Sequence, residues 1–178
     1  MADMKIENIV GNVLIARVLD IEKIFDLFPN SKYDPTEVPA LVINYQDPKC
    51  VIMIFKNGKI IFSGLKSMEN IQKIKENIID KLNKNGIKTY KKTDVQINNI
   101  TVTTKIEKYL DLSKIADSLD GVEYKPKSFP GLIYKTENQN TVILLFDSGK
   151  IVGSGSEFEE ISSTIDKMTN ELMSLNII

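Results

Sequence analysis

One segment of this chain is written twice. VIMIFKNGKIIFSG, Val51 to Gly64, returns as VILLFDSGKIVGSG, Val142 to Gly155, 91 residues further on. The same offset holds upstream. IENI (Ile6–Ile9) answers INNI (Ile97–Ile100), Leu19-Asp20 answers Leu110-Asp111, and Lys23-Ile24 answers Lys114-Ile115. YDPTEVPAL (Tyr33–Leu41) answers YKPKSFPGL (Tyr124–Leu132). Between Ile6 and Gly64 about 20 of roughly 59 positions are identical, without a gap. Beyond this the register slips, and Ile71 aligns with Ile161 at an offset of 90. A duplication of this length constrains the fold more than any local pattern, because both copies must adopt one supersecondary unit. The expected organisation is a first repeat over residues 5–90, a short polar linker over 91–95 and a second repeat over 96–178.

Each repeat reads the same way. A strand runs from about Lys5 to Ala16. A short helix follows, capped by Asp20, with Ile21, Ile24, Phe25 and Phe28 on its apolar side. Strands are expected near Ala40–Tyr45, Val51–Phe55 and Lys59–Ser63. Asn57-Gly58 predicts a two-residue hairpin with a type I′ turn. A long helix from about Ser67 to Asn83 closes the first copy, with Ile71, Ile74, Ile78 and Leu82 as its apolar stripe. The strand Val51–Phe55 is apolar at every position, whereas an antiparallel strand usually alternates. The predicted fold class is α+β: two direct repeats forming one continuous curved antiparallel sheet, with helices on the convex face. The helices cover one side only, so the second apolar face is expected to be a binding surface.

Composition narrows the chemistry. With no His, no Trp and one Cys, an intrachain disulfide is impossible. A Cys/His zinc site and His-based catalysis are equally out of reach. Cys50 reads more simply as a strand residue than as a reactive thiol. No stretch approaches the roughly 20 apolar residues of a membrane span, and the N-terminus lacks the apolar segment of a secretory signal. A soluble intracellular protein is expected, neither an enzyme nor a membrane protein. The net charge is −1, whereas a general phosphate binder is normally basic.

The doubled N-I near each start, the Y-x-P…P-x-L segment and the doubled F-x-x-G-K-I…S-G resemble the TATA-box-binding protein family over Lys5 to about Leu175. The acidic balance is similar to its archaeal branch. The resemblance implies a saddle whose concave sheet sits on a widened DNA minor groove, with Phe side chains wedged between base steps. It implies a general transcription factor that binds TATA-like, A/T-rich double-stranded promoter DNA, recruits transcription factor B and RNA polymerase, and needs no cofactor or metal. The expected location is cytoplasmic with the nucleoid, or nuclear in a eukaryote. A homodimer through the apolar face is expected in the absence of DNA. The alternative is a diverged saddle-shaped protein-interaction or regulatory module with weak or no DNA binding.

Carried over by position, the central Asn pair matches Asn8 and Asn99, and the wedges match Phe55, Phe129 and Phe146. Val38 stands at the fourth wedge position, a departure. Pro39 and Pro130 follow the outer wedge positions. Groove-lining apolar positions match Val10, Met53, Ile61, Leu144 and Val152, with Thr101 replacing the expected Val. Small hydroxyls match Ser63 and Ser154. The phosphate-contacting position falls on Asn44 and Lys135, and only Lys135 is charged. Where the family carries an acidic docking stretch for transcription factor B, this chain has Lys125 and Lys127, a reversal of charge. The connection 137–140 also departs from the first copy's Asp47-Pro48-Lys49. These departures suggest a diverged paralog.

Overall fold

The computed structural model of the chain describes residues 3–136 and 140–178. By contact the chain divides into two units, Asn8–Asn98 and a second comprising Met1–Glu7 with Asn99–Ile178. Each unit therefore includes the opening residues of the other repeat's first strand.

The first unit is built from β1 (Lys5–Leu14), α1 (Ile21–Phe25), β2 (Ser31–Tyr33), β3 (Ala40–Gln46), β4 (Lys49–Phe55), β5 (Lys59–Leu65) and α2 (Met68–Lys84). Its antiparallel ladder runs β2-β3-β4-β5-β1. Asp20 accepts a backbone hydrogen bond from Lys23, and Ser67 accepts one from Asn70, so both helices start at a side-chain cap. Ile71, Ile74, Ile78 and Leu82 pack α2 against the sheet at 2% exposure or less. On the sheet, Ile52, Ile54, Ile60 and Phe62 are fully buried.

The second unit repeats the plan with β6 (Gln96–Lys105), α3 (Leu112–Ser118), β7 (Val122–Glu123), β8 (Leu132–Lys135), β9 (Val142–Leu145), β10 (Lys150–Gly155) and α4 (Phe158–Ser174). Its ladder runs β6-β10-β9-β8-β7. Asp111 caps α3 through the backbone N–H groups of Ser113 and Lys114. Ile71 and Ile161 are both fully buried, as the slipped alignment requires. The fold class is α+β, as predicted. Packing differs inside the core. Where the first unit has Phe62, the second has Gly153. A Cβ there would lie 2.5 Å from Ile161 Cγ2, so α4 sits directly on the strand.

Four details depart from the sequence reading. The turn after β4 is a three-residue loop, not a type I′ pair. Gly58 N–H donates to Phe55 O at 2.9 Å. Gly58 alone takes positive φ (79°), while Asn57 stays in ordinary space and uses its side chain to accept from Lys59 N–H. Asn-Gly is compatible with both turns, and the loop must also dock: Gly58 O accepts from Ile15 N–H. That docking ends β1 at Leu14, short of Ala16. The short α1 leaves Phe25 41% exposed, off the apolar side assigned to it, while Phe28 is buried beyond the helix. The edge strands β2 and β7 were not anticipated, being too short to show periodicity. The compared connection at 137–139 lies outside the described residues.

Candidate nucleic-acid interface

The all-apolar strand is explained by its two faces. Along β4, Cys50, Ile52 and Ile54 point into the core, while Val51, Met53 and Phe55 remain partly exposed on the opposite side. Residues directly opposite in a ladder share a face, so the register assembles whole rows. In the first unit Val42, Met53, Ile61 and Asn12 form one row, and Asn44, Val51 and Ser63 form the next. In the second unit Ile133, Leu144, Val152 and Thr103 form the corresponding row, and Lys135, Val142, Ser154 and Thr101 the other. Met53, Ile61, Ser63, Leu144, Val152, Ser154 and Thr101 are all half-buried; Asn44 and Lys135 are exposed. Among the described residues, these rows keep their exposure on the face opposite the buried core positions.

The two Asn residues singled out by the repeat are oriented by the backbone. Asn8 accepts from Gly64 N–H at 2.7 Å. A backbone N–H can only donate, so the Asn8 oxygen faces Gly64 and its NH2 group is left as the donor end. The contact sits beside a ladder irregularity in which β5 spends one residue more than β1 between the Ile9 and Gly11 pairings, and Val10 is half-buried next to it. In the second unit Asn99 accepts from the Ser154 hydroxyl at 2.8 Å and donates to Thr101 Oγ1 at 3.3 Å. Thr101 therefore supplies a polar partner that a Val could not.

Sequence reasoning missed a second polar layer. Asn12, 8% exposed, donates to Asn98 Oδ1 at 2.7 Å. The repeat-related pair is Thr103 donating to Glu7 Oε1 at 3.0 Å, and Lys5 lies 3.2 Å from the same carboxylate. One unit thus carries a neutral amide pair where the other carries a carboxylate. Neither pair has a local signature, because the partners lie 86 and 96 residues apart. Val42, Val51, Ile133 and Val142 were also missed, although their alternation with buried neighbours was visible.

The tips of the two units differ. In the second, Phe129 and Phe146 meet edge to face with ring centroids 5.9 Å apart. In the first, Phe55 lies opposite Ala40, and Val38 is 38% exposed. Pro39 and Pro130 are both exposed. Lys125 pairs with Glu123 at 2.6 Å. That hydrogen bond holds the Glu123 carboxyl below its usual range and raises the Lys125 ammonium. Lys127 is exposed beside it. On the first unit the equivalent loop is acidic, and Asp34 is held low by the hydroxyl and N–H of Thr36.

Nothing in this constellation resembles a reaction centre. Among the described residues, no group of three His, Cys, Asp or Glu side chains could hold a metal ion. No described helix is long and apolar enough to cross a membrane. Cys50 is buried, and burial pushes its thiol up to about 11, away from thiolate chemistry. A cavity of about 700 Å³ lined by Asp120, Tyr134, Lys135 and Glu160 lies mainly against α4 and shares only Lys135 with the open rows. What the rows offer is apolar area, amide and hydroxyl donors, and aromatic tips.

Comparison with known proteins matches both repeats. The family model described as transcription factor TFIID (or TATA-binding protein, TBP) matches residues 3–85 and 94–175. A TATA-box-binding protein of Pyrococcus abyssi is 38% identical over 176 residues, covering 98% of this chain and 92% of that protein. One from Thermoplasma volcanium is 39% identical over 176 residues, covering 97% and 96%. Among solved structures, Methanococcus jannaschii TBP superposes with a TM-score of 0.86 at 31% identity, covering 97% of this chain and 99% of that one.

Proposed function

The chain belongs to the TATA-binding protein family, and from that premise we propose that it is a general transcription factor that binds TATA-like promoter DNA in the minor groove. The observation that carries the reading is the open face of each unit, with Met53 and Ile61 or Leu144 and Val152 paired across its centre and an Asn held by a hydrogen bond from Gly64 or Ser154 beside it. A minor groove rich in A·T pairs presents acceptors almost exclusively. The Asn8 amide, turned donor-outward by Gly64 N–H, is complementary to it, and Asn99 occupies the repeat-related position. Met53, Ile61, Leu144 and Val152 supply contact to the groove floor, with Val10 and Thr101 beside the Asn pair. Apolar contact of this kind leans little on phosphate charge, so the net charge of −1 is tolerable. Lys135 supplies one phosphate contact, and Asn44 supplies a neutral one.

The tips act as wedges. Phe129 and Phe146 insert into one base step and Phe55 into another, exchanging stacking for a bend that wraps more of the protein. Phe129→Ala and Phe146→Ala should each weaken binding and reduce bending with the fold intact. Unchanged affinity and bend in both would remove the wedge role. Docking of a transcription factor B-like protein falls on the loop carrying Lys125 and Lys127, where the charge is reversed relative to the family. Lys125→Glu with Lys127→Glu should then strengthen capture of a generic transcription factor B, and no gain in a pull-down would count against that surface. Without DNA, the open apolar rows are the natural site for self-association, readable by sedimentation.

A second reading has a specific observation behind it. The Glu7 carboxylate on the Thr103 row and the blunt Val38 tip both suit a protein partner better than a polyanion. A folded protein with no preference for TATA-like DNA would favour that reading.

A further inference from the structure

The first unit shows what the groove beside its long helix holds. After α2 the chain turns back, and residues 88–93, KTYKKT, run between that helix and the end of β1. Tyr90 N–H donates to Ile15 O at 2.7 Å. Asn83 donates to Thr89 Oγ1 at 3.1 Å, and Lys75, 8% exposed, donates to Thr93 O at 3.1 Å. The walls of this groove are repeated in the second unit. Ile15 and Ile106 N–H donate to Gly58 O and Gly149 O, each at 2.9 Å. Ile87 and Ile177 N–H donate to Leu82 O and Leu172 O, each at 3.0 Å. Beside α4 lies a groove of about 520 Å³ lined by Ile106, Ile165, Asp166, Thr169, Asn170 and Met173. Met173 is 57% exposed. Ile106 O accepts from Lys108 N–H at 2.8 Å, and a carbonyl has a second lone pair to offer.

The substitutions between the two grooves define what the second one takes. With Ile71 aligned on Ile161, Ile165 stands where Lys75 stands, so an apolar floor replaces the lysine donor. Asp166 keeps the charge of Glu76, and Asn170 replaces Asp80. Lys105, also in the lining, is paired with Glu107 at 2.6 Å, which leaves Asp166 to set the sign. Residues 157–178 carry five carboxylates (Glu157, Glu159, Glu160, Asp166, Glu171) against Lys167 alone. We propose that this groove is a docking site for a short, basic, non-helical segment of a partner protein, held as residues 88–93 are held in the first unit. The segment gives a backbone N–H to Ile106 O, lays an apolar side chain on Ile165 and the adaptable Met173, and places a Lys or Arg beside Asp166.

The test titrates a synthetic peptide of residues 86–94, GIKTYKKTD, into the full chain with labelled Ile and Met methyl groups. The first groove already holds this sequence within its own chain, at an effective concentration in the millimolar range or above, so added peptide is directed to the second. The Ile106, Ile165 and Met173 methyl signals should shift and saturate with a Kd of about 1 mM or tighter, while Ile15 stays unchanged. A peptide with Glu for each Lys, or Asp166→Lys in the protein, should weaken binding about threefold or more. Ile165→Lys should tighten it about tenfold, because the Thr93 carbonyl regains the charged donor that Lys75 supplies in the first unit. Asp166→Lys, on the helix surface, carries the test should Ile165→Lys fail to fold. No saturable shift at the three signals up to about 10 mM peptide would overturn the inference. So would equal binding of a scrambled peptide. Shifts of the same signals with protein concentration alone would put a second copy in the groove and overturn the partner reading. None of these substitutions lies in the open rows, so peptide binding and DNA binding are read separately.

Discussion

Thr104 offers a test of both the repeat and the energetics. Its hydroxyl is buried and, among the described residues, has no hydrogen-bond partner. At the repeat-related position stands Val13, 1% exposed, paired with Ile60 as Thr104 is paired with Ile151. The fold therefore already accommodates Val in this environment. A buried hydroxyl without a partner forfeits its hydration, a penalty of about 1–3 kcal/mol. Thr104→Val exchanges that hydroxyl for a methyl of nearly equal size, so about 1–2 kcal/mol of stabilisation is expected, allowing for imperfect repacking. For a chain of this size that corresponds to a rise in Tm of about 2–4 °C for each kcal/mol. Thermal and urea unfolding would measure it, with Val13→Thr as the reverse experiment, expected to lose a similar amount. A Thr104→Val protein less stable than wild type would refute the reasoning, since it would mean that the hydroxyl has a partner.

Other substitutions probe other parts of the account. Gly58→Ala places a Cβ 1.9 Å from Ala16 O at a φ of +79° and should cost about 4 kcal/mol or more; chemical denaturation would show it. Asn98→Ala leaves the Asn12 amide without its 2.7 Å partner and should cost about 1–2 kcal/mol, a loss that Asn12→Val would largely relieve in a double-mutant cycle. Burial raises the Cys50 thiol from 9.0 to about 11, so the unfolded chain loses its proton first. Stability should be unaffected by this group below pH 9.0 and fall as pH rises from there through about 11. Urea unfolding at about pH 8 and about pH 10 should show a smaller alkaline loss in Cys50→Val than in wild type, with Tyr45, also raised by burial, supplying the remainder.

The duplication was legible because it is gapless through Gly64, and once two copies are aligned every strand is read twice. The strand Val51–Phe55, apolar at every position, by itself implies a two-faced surface. What stayed hidden depends on register or on touching volumes. The Asn12–Asn98 and Glu7–Thr103 contacts join residues 86 and 96 positions apart, and no local pattern encodes them. The Asn57-Gly58 turn was misread because the dipeptide suits two loop types, and docking to Ile15 selects between them. Val38 was visible as a departure because the second copy has Phe129 in its place, but the edge-to-face contact of Phe129 with Phe146 depends on the fold.

The central claim is that these rows bend DNA. The most direct measurement is a titration of the protein into a TATA-like duplex and a scrambled duplex, each labelled at both ends, at two salt concentrations. The account predicts tighter binding to the TATA-like duplex together with a shortening of its end-to-end distance. Equal binding to both duplexes, or binding without shortening, by a folded protein would contradict it.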